Sequence, residues 1–310
     1  MKISALSRAA FKRLVPRRVR DRLRPWQEPG RQLRLLYYDR LFRGGIVRRA
    51  GFAYRLHAND VIGRYLYSGD HPAKDEIEIL NRAGKYFRSF IDVGANIGAV
   101  SIPVARSFPG PILALEPVLK NFELLCENIQ LNHLSDQVFP TRVAVGDRGG
   151  TIDMYLSEEN SGDHRAGGCS GDKRKTETVE LRTLANCVSQ DSRFRPPFLL
   201  KLDVQGFEGK VIAGASSLLR FNKCLMLLEF WPDGLMSNGY APVDMFTLLN
   251  GVGLGLYEVT RPLGLRKIAC VEGLEKLSER FTGEGFCNLV ATNLALAEVG
   301  LSDLLRPPAF

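Results

Sequence analysis

From residue 90 onward, short apolar runs alternate with longer stretches whose apolar positions recur at helical spacing. Phe90-Ile91-Asp92-Val93 is one such run. It ends at Gly94, and a helical pattern then continues through Ala105. Pro111 to Leu115 is a second run, ending at Glu116-Pro117. Asn121 to Leu131 predicts a helix, and Val138 to Val145 a third strand ending at Gly146-Asp147. Thr151 to Leu156 and Glu177 to Leu181 read as extended segments around a polar loop. Phe198 to Val204 predicts a strand, Glu208 to Leu219 a helix, Cys224 to Glu229 a strand and Val243 to Leu249 a helix. Gly255 to Val259 and Asn288 to Thr292 predict two closing strands. Such alternation implies βαβ units and a mainly parallel sheet. The two closing strands have no full crossover helix between them, which predicts an antiparallel addition at one edge. The expected fold class is α/β: a doubly wound seven-stranded sheet, mostly parallel, with that one antiparallel edge addition.

Upstream, Asp75 to Tyr86 reads as a helix with Ile77, Ile79 and Leu80 apolar among charges, and Tyr54 to Tyr67 as a short strand pair. Residues 1–50 read as basic helical pieces broken at Pro16, Pro25 and Pro29-Gly30, with Leu33, Leu36, Tyr37 and Leu41 near one helical face. No internal repeat or low-complexity tract is visible. The expected organisation is a basic N-terminal extension over 1–60, one α/β domain over 61–300 and a C-terminal tail over 301–310.

Composition leaves this picture intact. The chain has 310 residues, 45% hydrophobic and 25% charged, enough to bury a sizeable core. No stretch approaches the roughly 18 apolar residues of a membrane span. The most apolar run, Cys224 to Trp231, is strand-length and contains Glu229. Arg8, Lys12, Arg13, Arg17 and Arg18 interrupt the N-terminus too early for a secretory signal. Cysteines 126, 169, 187, 224, 270 and 287 form no CxxC pair, which argues against a zinc cluster or a disulfide scaffold and for a cytoplasmic protein with reduced thiols. Charge does change the picture. Residues 1–50 hold 15 Lys+Arg against 3 Asp+Glu, and the remainder 27 against 31. The basic character therefore belongs to the leader, which suits peripheral contact with an anionic membrane or an anionic glycan. A solvated extension is the plainer alternative.

The candidate chemistry lies at the ends of the apolar runs. Asp92-Val93-Gly94-Ala95-Asn96-Ile97-Gly98 follows a strand and opens a helix, where glycines allow a tight turn and close approach of a ligand. Its Gly-x-Asn-x-Gly spacing is one residue shorter than the dinucleotide fingerprint. A carboxylate just before the first glycine repels a pyrophosphate but can hold an ammonium, which favours S-adenosylmethionine over NAD. Glu116, 24 residues after Asp92, ends the next strand and can accept from both ribose hydroxyls. In Lys201-Leu202-Asp203-Val204-Gln205-Gly206-Phe207-Glu208, Asp203 ends a strand facing the same cleft. Glu208 opens a helix, where an acid suits the dipole. Lys201, inside an apolar strand, needs an acid such as Asp203 or Glu229 beside it. Asp92, Asp203 and Glu229 at neighbouring strand ends make a polar cleft.

Together these motifs resemble the FkbM family of methyltransferases over roughly residues 65–292. The carriers are DVGANIG (92–98), LEP (115–117), Asn121 and Asn128, AVGDRGG (144–150), LRTL (181–184), KLDVQGFE (201–208) and LLEF (227–230). Gln205 departs from the family pattern, which usually has Glu. The resemblance implies a class I, Rossmann-like enzyme that takes its methyl group from S-adenosylmethionine (S-adenosyl-L-methionine) and acts on an oxygen of a sugar, glycan or natural-product acceptor. It implies that Asp92, Gly94, Asn96 and Gly98 hold the methionine moiety, with Asn121 in the same cofactor site, that Glu116 holds the ribose, and that Asp147 lies near the adenine.

Glu158 to Arg165 is too polar for a core element and reads as a substrate-facing loop. His164 is suited to act as base toward a hydroxyl, with Asp163 or Asp203 to orient or replace it. The alternative for His164 is an ordinary solvated loop histidine. Arg165 suits a substrate carboxylate or phosphate. The catalytic candidates are His164, Asp203 and Glu229, and no metal is expected. Three rival readings stand beside this one. An NAD-dependent oxidoreductase is disfavoured by the glycine spacing and by Asp92. A non-catalytic scaffold docked to membrane or glycan machinery is disfavoured by the intact motifs. Nucleic-acid methylation is disfavoured by the mildly acidic body and by the lack of an Asn/Asp-Pro-Pro-Tyr/Phe motif.

Overall fold

The computed structural model describes residues 37–307 apart from 40, 59, 70, 159 and 168–173. The proline-broken basic pieces, with Leu33 and Leu36, lie outside the described residues, as does Cys169. The chain divides into two compact units, Met1–Pro72 and Ala73–Phe310.

In the first unit, β1 (Gly45–Arg49) and β2 (Phe52–Leu56) form an antiparallel hairpin. It turns at Ala50 and Gly51, whose φ values of 51° and 84° match the right-handed strand twist. Helix α1 (Val61–Ser68) follows. Asp60 caps it by accepting from the Gly63 amide at 2.7 Å, and Gly69 ends it in the left-handed conformation. The expected strand pair over Tyr54–Tyr67 is therefore a strand end, a cap and a helix. The capping aspartate overrides the β-prone Tyr-rich composition.

The second unit begins with α2 (Lys74–Gly84), then β3 (Ser89–Val93), α3 (Ser101–Ala105), β4 (Ile112–Leu115), α4 (Leu119–Leu131), β5 (Val138–Thr141) and β6 (Ala144–Gly146). Next come β7 (Gly150–Leu156), β8 (Arg165–Ala166), β9 (Lys175–Thr183), α5 (Leu184–Ser189), β10 (Phe198–Leu202), α6 (Glu208–Gly214), α7 (Ser216–Phe221) and β11 (Cys224–Phe230). The chain continues through α8 (Pro232–Ser237), α9 (Pro242–Gly251), β12 (Gly255–Thr260), β13 (Gly264–Ile268), α10 (Val271–Ser278), β14 (Cys287–Thr292) and β15 (Leu305–Arg306).

The central sheet runs β15-β13-β12-β14-β11-β10-β3-β4-β5, nine strands among the described residues. All seven expected strands are in it. β14 is antiparallel to both of its neighbours and sits between β11 and β12, inside the rim. β13 and β15 extend the sheet beyond the expected edge. β13 reads as a loop in sequence because Arg266 and Lys267 interrupt it just after Pro262. The expected third strand breaks at Arg142-Val143: β5 ends the central sheet, while β6 pairs with β9 in a separate four-stranded sheet, β6-β9-β7-β8. The expected helix from Glu208 to Leu219 also breaks in two at Ala215. There Gly214 packs against the Gly146 carbonyl with no room for a Cβ.

β10 and β11 are buried along their whole length, as strands covered on both faces must be. Alternate residues enter opposite cores. Ile91, Leu200 and Met226 join Val211 and Met245 on one face. Phe90, Leu199, Leu225 and Leu227 join Ile79 and Leu80 of α2 on the other. Period two then puts Asp92, Lys201 and Glu229 on this second face, in a polar layer at the carboxyl ends of the strands. Open α/β sheets bind their ligands at those ends.

Candidate active site

The turn after β3 folds back over the end of β4. The Gly94 and Ala95 amides both donate to the Leu115 carbonyl, at 2.9 and 3.0 Å. Gly94 and Gly98 have φ of 82° and 86°, and Asn96 shares the left-handed region at 51°. A Cβ on Gly94 would overlap the Asp203 carbonyl, because the loops leaving β3 and β10 touch there.

Glu116 locks this turn. Its Oε2 accepts from the Asn96 amide at 2.9 Å and its Oε1 from the Val118 amide at 3.0 Å. Burial pushes its pKa up to about 7, against the lowering effect of those two amides. With the Asn121 side chain also lowering its pKa as a donor, the carboxylate still has acceptor capacity beyond the two amides. The side-chain amides of Asn96 and Asn121 converge on the Ser161 carbonyl, at 2.6 and 3.0 Å, and so tie the polar loop after β7 over the glycine turn. Asn128 braces the turn from below by donating to the Ile97 carbonyl at 2.9 Å.

Asp92 is fully buried. Its Oδ2 accepts from Ser101 Oγ at 2.6 Å, and its Oδ1 has no hydrogen-bond partner among the described residues. Burial raises its pKa, opposed by Lys201 and the Ser101 hydroxyl. Asn121 Oδ1 is likewise buried without a partner. These orphaned acceptors beside a glycine cradle fit a ligand that brings donors and positive charge, as S-adenosylmethionine does. Asp92, Gly94, Asn96, Gly98, Glu116 and Asn121 thus come together. Asp147, at the end of β6, is instead engaged by Lys210 at 3.3 Å and Arg148 at 3.4 Å.

The second group surrounds Lys201. Its ammonium bonds Asp203 Oδ2 at 2.9 Å. Burial alone would neutralise it, but Asp203, Asp92 and Glu76 outweigh that and keep it charged. Gln205 Nε2 donates to Asp203 Oδ1 at 2.9 Å and to Glu229 Oε2 at 3.0 Å. Burial, then Asp203 and Glu208, push the Glu229 pKa well above the usual carboxylate range. Glu208 accepts from the Val204 amide at 3.0 Å, and burial lifts its pKa to about 7. Glu76 of α2 accepts from Asn288, the cross-strand neighbour of Glu229, at 2.5 Å. Carboxylates outnumber cations here. Among the described residues no three His, Cys, Asp or Glu are disposed to hold a metal ion.

In the polar loop, His164 Nδ1 accepts from the Ser157 amide at 3.0 Å. In the neutral ring this puts the proton on Nε2 and uses the lone pair of Nδ1. Asp163 is clamped by Arg165 at 2.6 Å and Arg174 at 3.0 Å, and the Arg165 guanidinium lies 4.5 Å over the Trp231 ring. Ser101, Ser161, Glu76 and Asn288 had no signal in the sequence. Ser161 acts through its main-chain carbonyl, and Glu76 looks like one more acid on an amphipathic helix.

The family model described as "Methyltransferase FkbM domain" matches residues 92–248. No curated protein matches the sequence. Among solved structures, the chain is similar to an FkbM methyltransferase from Methylobacillus flagellatus KT, with 13% identity and TM-score 0.40 over 66% of this chain and 43% of that one. The chain thus spans less than half the length of that relative. It is also similar to M. jannaschii TYW2 in complex with AdoMet, with 17% identity and TM-score 0.38 over 80% and 84% of the two chains. An O-methyltransferase from Bacillus cereus in complex with SAH gives 12% identity and TM-score 0.36 over 71% and 80%. Likeness this remote says nothing of substrate.

Proposed function

Because this chain belongs to the FkbM methyltransferase family, we propose that it methylates a hydroxyl oxygen of an uncharged acceptor, a sugar, glycan or natural-product alcohol, with Glu229 as the proton acceptor. The methyl donor is S-adenosylmethionine, whose sulfonium makes the methyl group electrophilic. Asp92, with Gly94, Asn96 and Gly98, holds the methionine moiety, and Glu116 holds the ribose hydroxyls. Asn121 helps to close that site. Asp147 is left out, because both its oxygens already face cations.

The observation that carries the choice of base is the state of the Glu229 carboxylate. One oxygen is tied to Gln205, and nothing among the described residues hydrogen-bonds the other. Its raised basicity matches a base that must take a proton from an alcohol near neutral pH. Glu229 would take the hydroxyl proton through Oε1, and the bound donor would supply its methyl group to the acceptor oxygen, leaving as the neutral thioether. The proton then passes to water. His164 is the weaker candidate, since its Nδ1 lone pair serves the Ser157 amide. Asp203, held by both Lys201 and Gln205, serves as the anion that keeps Lys201 in place.

The acceptor class follows from charge. A cleft with Asp92, Asp203, Glu208 and Glu229 around the ammonium of Lys201 disfavours an anionic acceptor, and Arg165 is already paired with Asp163, which it shares with Arg174, and with Glu284 at 3.7 Å. No helix among the described residues is long and apolar enough to cross a membrane. The basic segment 1–50 supports peripheral contact of a cytoplasmic enzyme with an anionic membrane or glycan. The test is transfer of labelled methyl from S-adenosylmethionine to a panel of neutral and anionic alcohols. Label on the oxygen of neutral acceptors is expected. Label on nitrogen or carbon, or on anionic acceptors alone, overturns the proposal.

A further inference from the structure

Gln205 occupies a position that costs backbone strain. Its φ is 53°, where only glycine and a few polar residues sit easily, and Gly206 beside it has φ of 91°. The turn is wedged in place, because a Cβ on Gly206 would run into the backbone of Gly234 in α8. This geometry turns the Gln205 side chain across the ends of β10 and β11. Its amide nitrogen stands 2.9 Å from Asp203 Oδ1 and 3.0 Å from Glu229 Oε2. The orientation of the amide is forced. Its carbonyl oxygen in that place would face two carboxylates, whereas NH₂ has one proton for each.

We propose that Gln205 is a positioning residue of the transfer reaction: by giving one amide proton to Asp203 and the other to Glu229, it holds the two carboxylates as a pair and leaves the second oxygen of Glu229 for the acceptor hydroxyl. The proposal rests on Glu229 being the proton acceptor. Without the bridge, Glu229 loses a hydrogen bond to its charged form while its neighbours keep acting on it. Asp203, Glu208 and Glu76 repel its charge, Lys201 attracts it, and the Cys287 thiol lies close by on β14. The neutral amide also differs in effect from a glutamate at this position, which would add a further carboxylate to the cluster.

The test needs no identified acceptor. Infrared difference spectra of the full chain saturated with S-adenosylhomocysteine are titrated with pH, and the Glu229 carboxyl band is assigned by its loss in Glu229→Gln. Gln205→Asn tolerates the left-handed backbone but is one methylene too short to bridge, and Gln205→Glu keeps the shape. The Glu229 midpoint is expected to rise by about one pH unit in Gln205→Asn and by more in Gln205→Glu. Thermal unfolding reports whether each variant is folded. A purely structural role would lower the unfolding temperature without moving the midpoint. Midpoints within a few tenths of the parent in the folded variants overturn the proposal, as does a spectrum with no Glu229 band. The base assignment is tested separately. If Glu229→Gln keeps the parental rate of methyl transfer and its pH profile, that reading fails, whatever Gln205 does to the infrared midpoint.

Discussion

Lys201 and Asp92 stand in register on the adjacent parallel strands β10 and β3, a buried ammonium beside a buried carboxylate. Lys201 is also the cation that the Asp203, Glu229 and Glu76 carboxylates feel. Lys201→Met should therefore leave several buried acids uncompensated. A loss of about 3–5 kcal/mol in urea unfolding at neutral pH is expected. The deficit should shrink as the pH is lowered and the acids protonate. A loss independent of pH would mean that Lys201 acts through packing alone.

Gly94 lies where the β3 and β10 loops touch. Gly94→Ala adds a Cβ against the Asp203 carbonyl and keeps an unfavourable φ of 82°. The variant should unfold at least about 2 kcal/mol more easily than the parent and bind S-adenosylhomocysteine poorly. Parental behaviour in calorimetry and thermal melts would show that the two loops can separate at no cost.

Strand ends were the most legible part of the site. An apolar run closing on an acid or glycine marks the sheet and the carboxyl ends of its strands, so the sequence pattern puts Asp92, Glu116, Asp203 and Glu229 at or just beyond strand ends, where the structure has them. For Lys201 the pattern leaves both Asp203 and Glu229 as partners, and the structure pairs it with Asp203. Three features escaped, each for a physical reason. β13 is only five residues long, and the adjacent Arg266 and Lys267 break its apolar run, so Leu265 and Ile268, which are buried, leave no period-two pattern to read. The break between β5 and β6 depends on β9 arriving from more than thirty residues away, which no local pattern records. The loop that closes over Asn96 and Asn121 does so through a carbonyl that any residue possesses.

Glu208 makes stability depend on pH. Its carboxyl is buried with Oε2 unpartnered, and its folded pKa of about 7 lies above the ordinary 4.5. The folded state therefore holds a proton that the unfolded chain has already lost. The contribution is fully present below about pH 4.5 and is lost as pH rises to about 7. The parent should lose more stability than Glu208→Gln between about pH 5 and pH 7.5, by up to a few kcal/mol, as read from denaturant midpoints at each pH. Parallel curves would show that Glu208 titrates alike in both states.

Asp92 and Glu116 should divide the cofactor between them. Asp92→Asn and Glu116→Gln each remove a charge but keep the shape, and each should weaken S-adenosylmethionine binding about 10- to 100-fold in calorimetry. Glu116 adds a pH signature. Its folded pKa is about 7, and its ionised form accepts hydrogen bonds on both oxygens. Affinity should rise from about pH 6 to pH 8 in the parent, with that rise lost in Glu116→Gln. Unchanged affinity in both variants would move the cofactor elsewhere, and NAD binding in place of S-adenosylmethionine would overturn the assignment of the glycine turn.

His164 and Glu229 compete for the role of base, and their surroundings separate them. His164 has its Nδ1 lone pair committed to the Ser157 amide, so the ring is better placed to shape the loop than to take a proton. Glu229 keeps one oxygen without a hydrogen-bond partner among the described residues and is more basic than an ordinary carboxylate. Glu229→Gln should slow methyl transfer by about 10²- to 10⁴-fold and remove the acidic limb of the pH–rate profile. His164→Ala should cost less than about tenfold and leave that limb in place. The limb itself has a defined sign. A base must be deprotonated to act, so the rate should climb as pH rises through the raised Glu229 value. If His164→Ala abolishes the limb and Glu229→Gln preserves it, the proton goes to the histidine, and the hydrogen bond to Ser157 must break before each turnover.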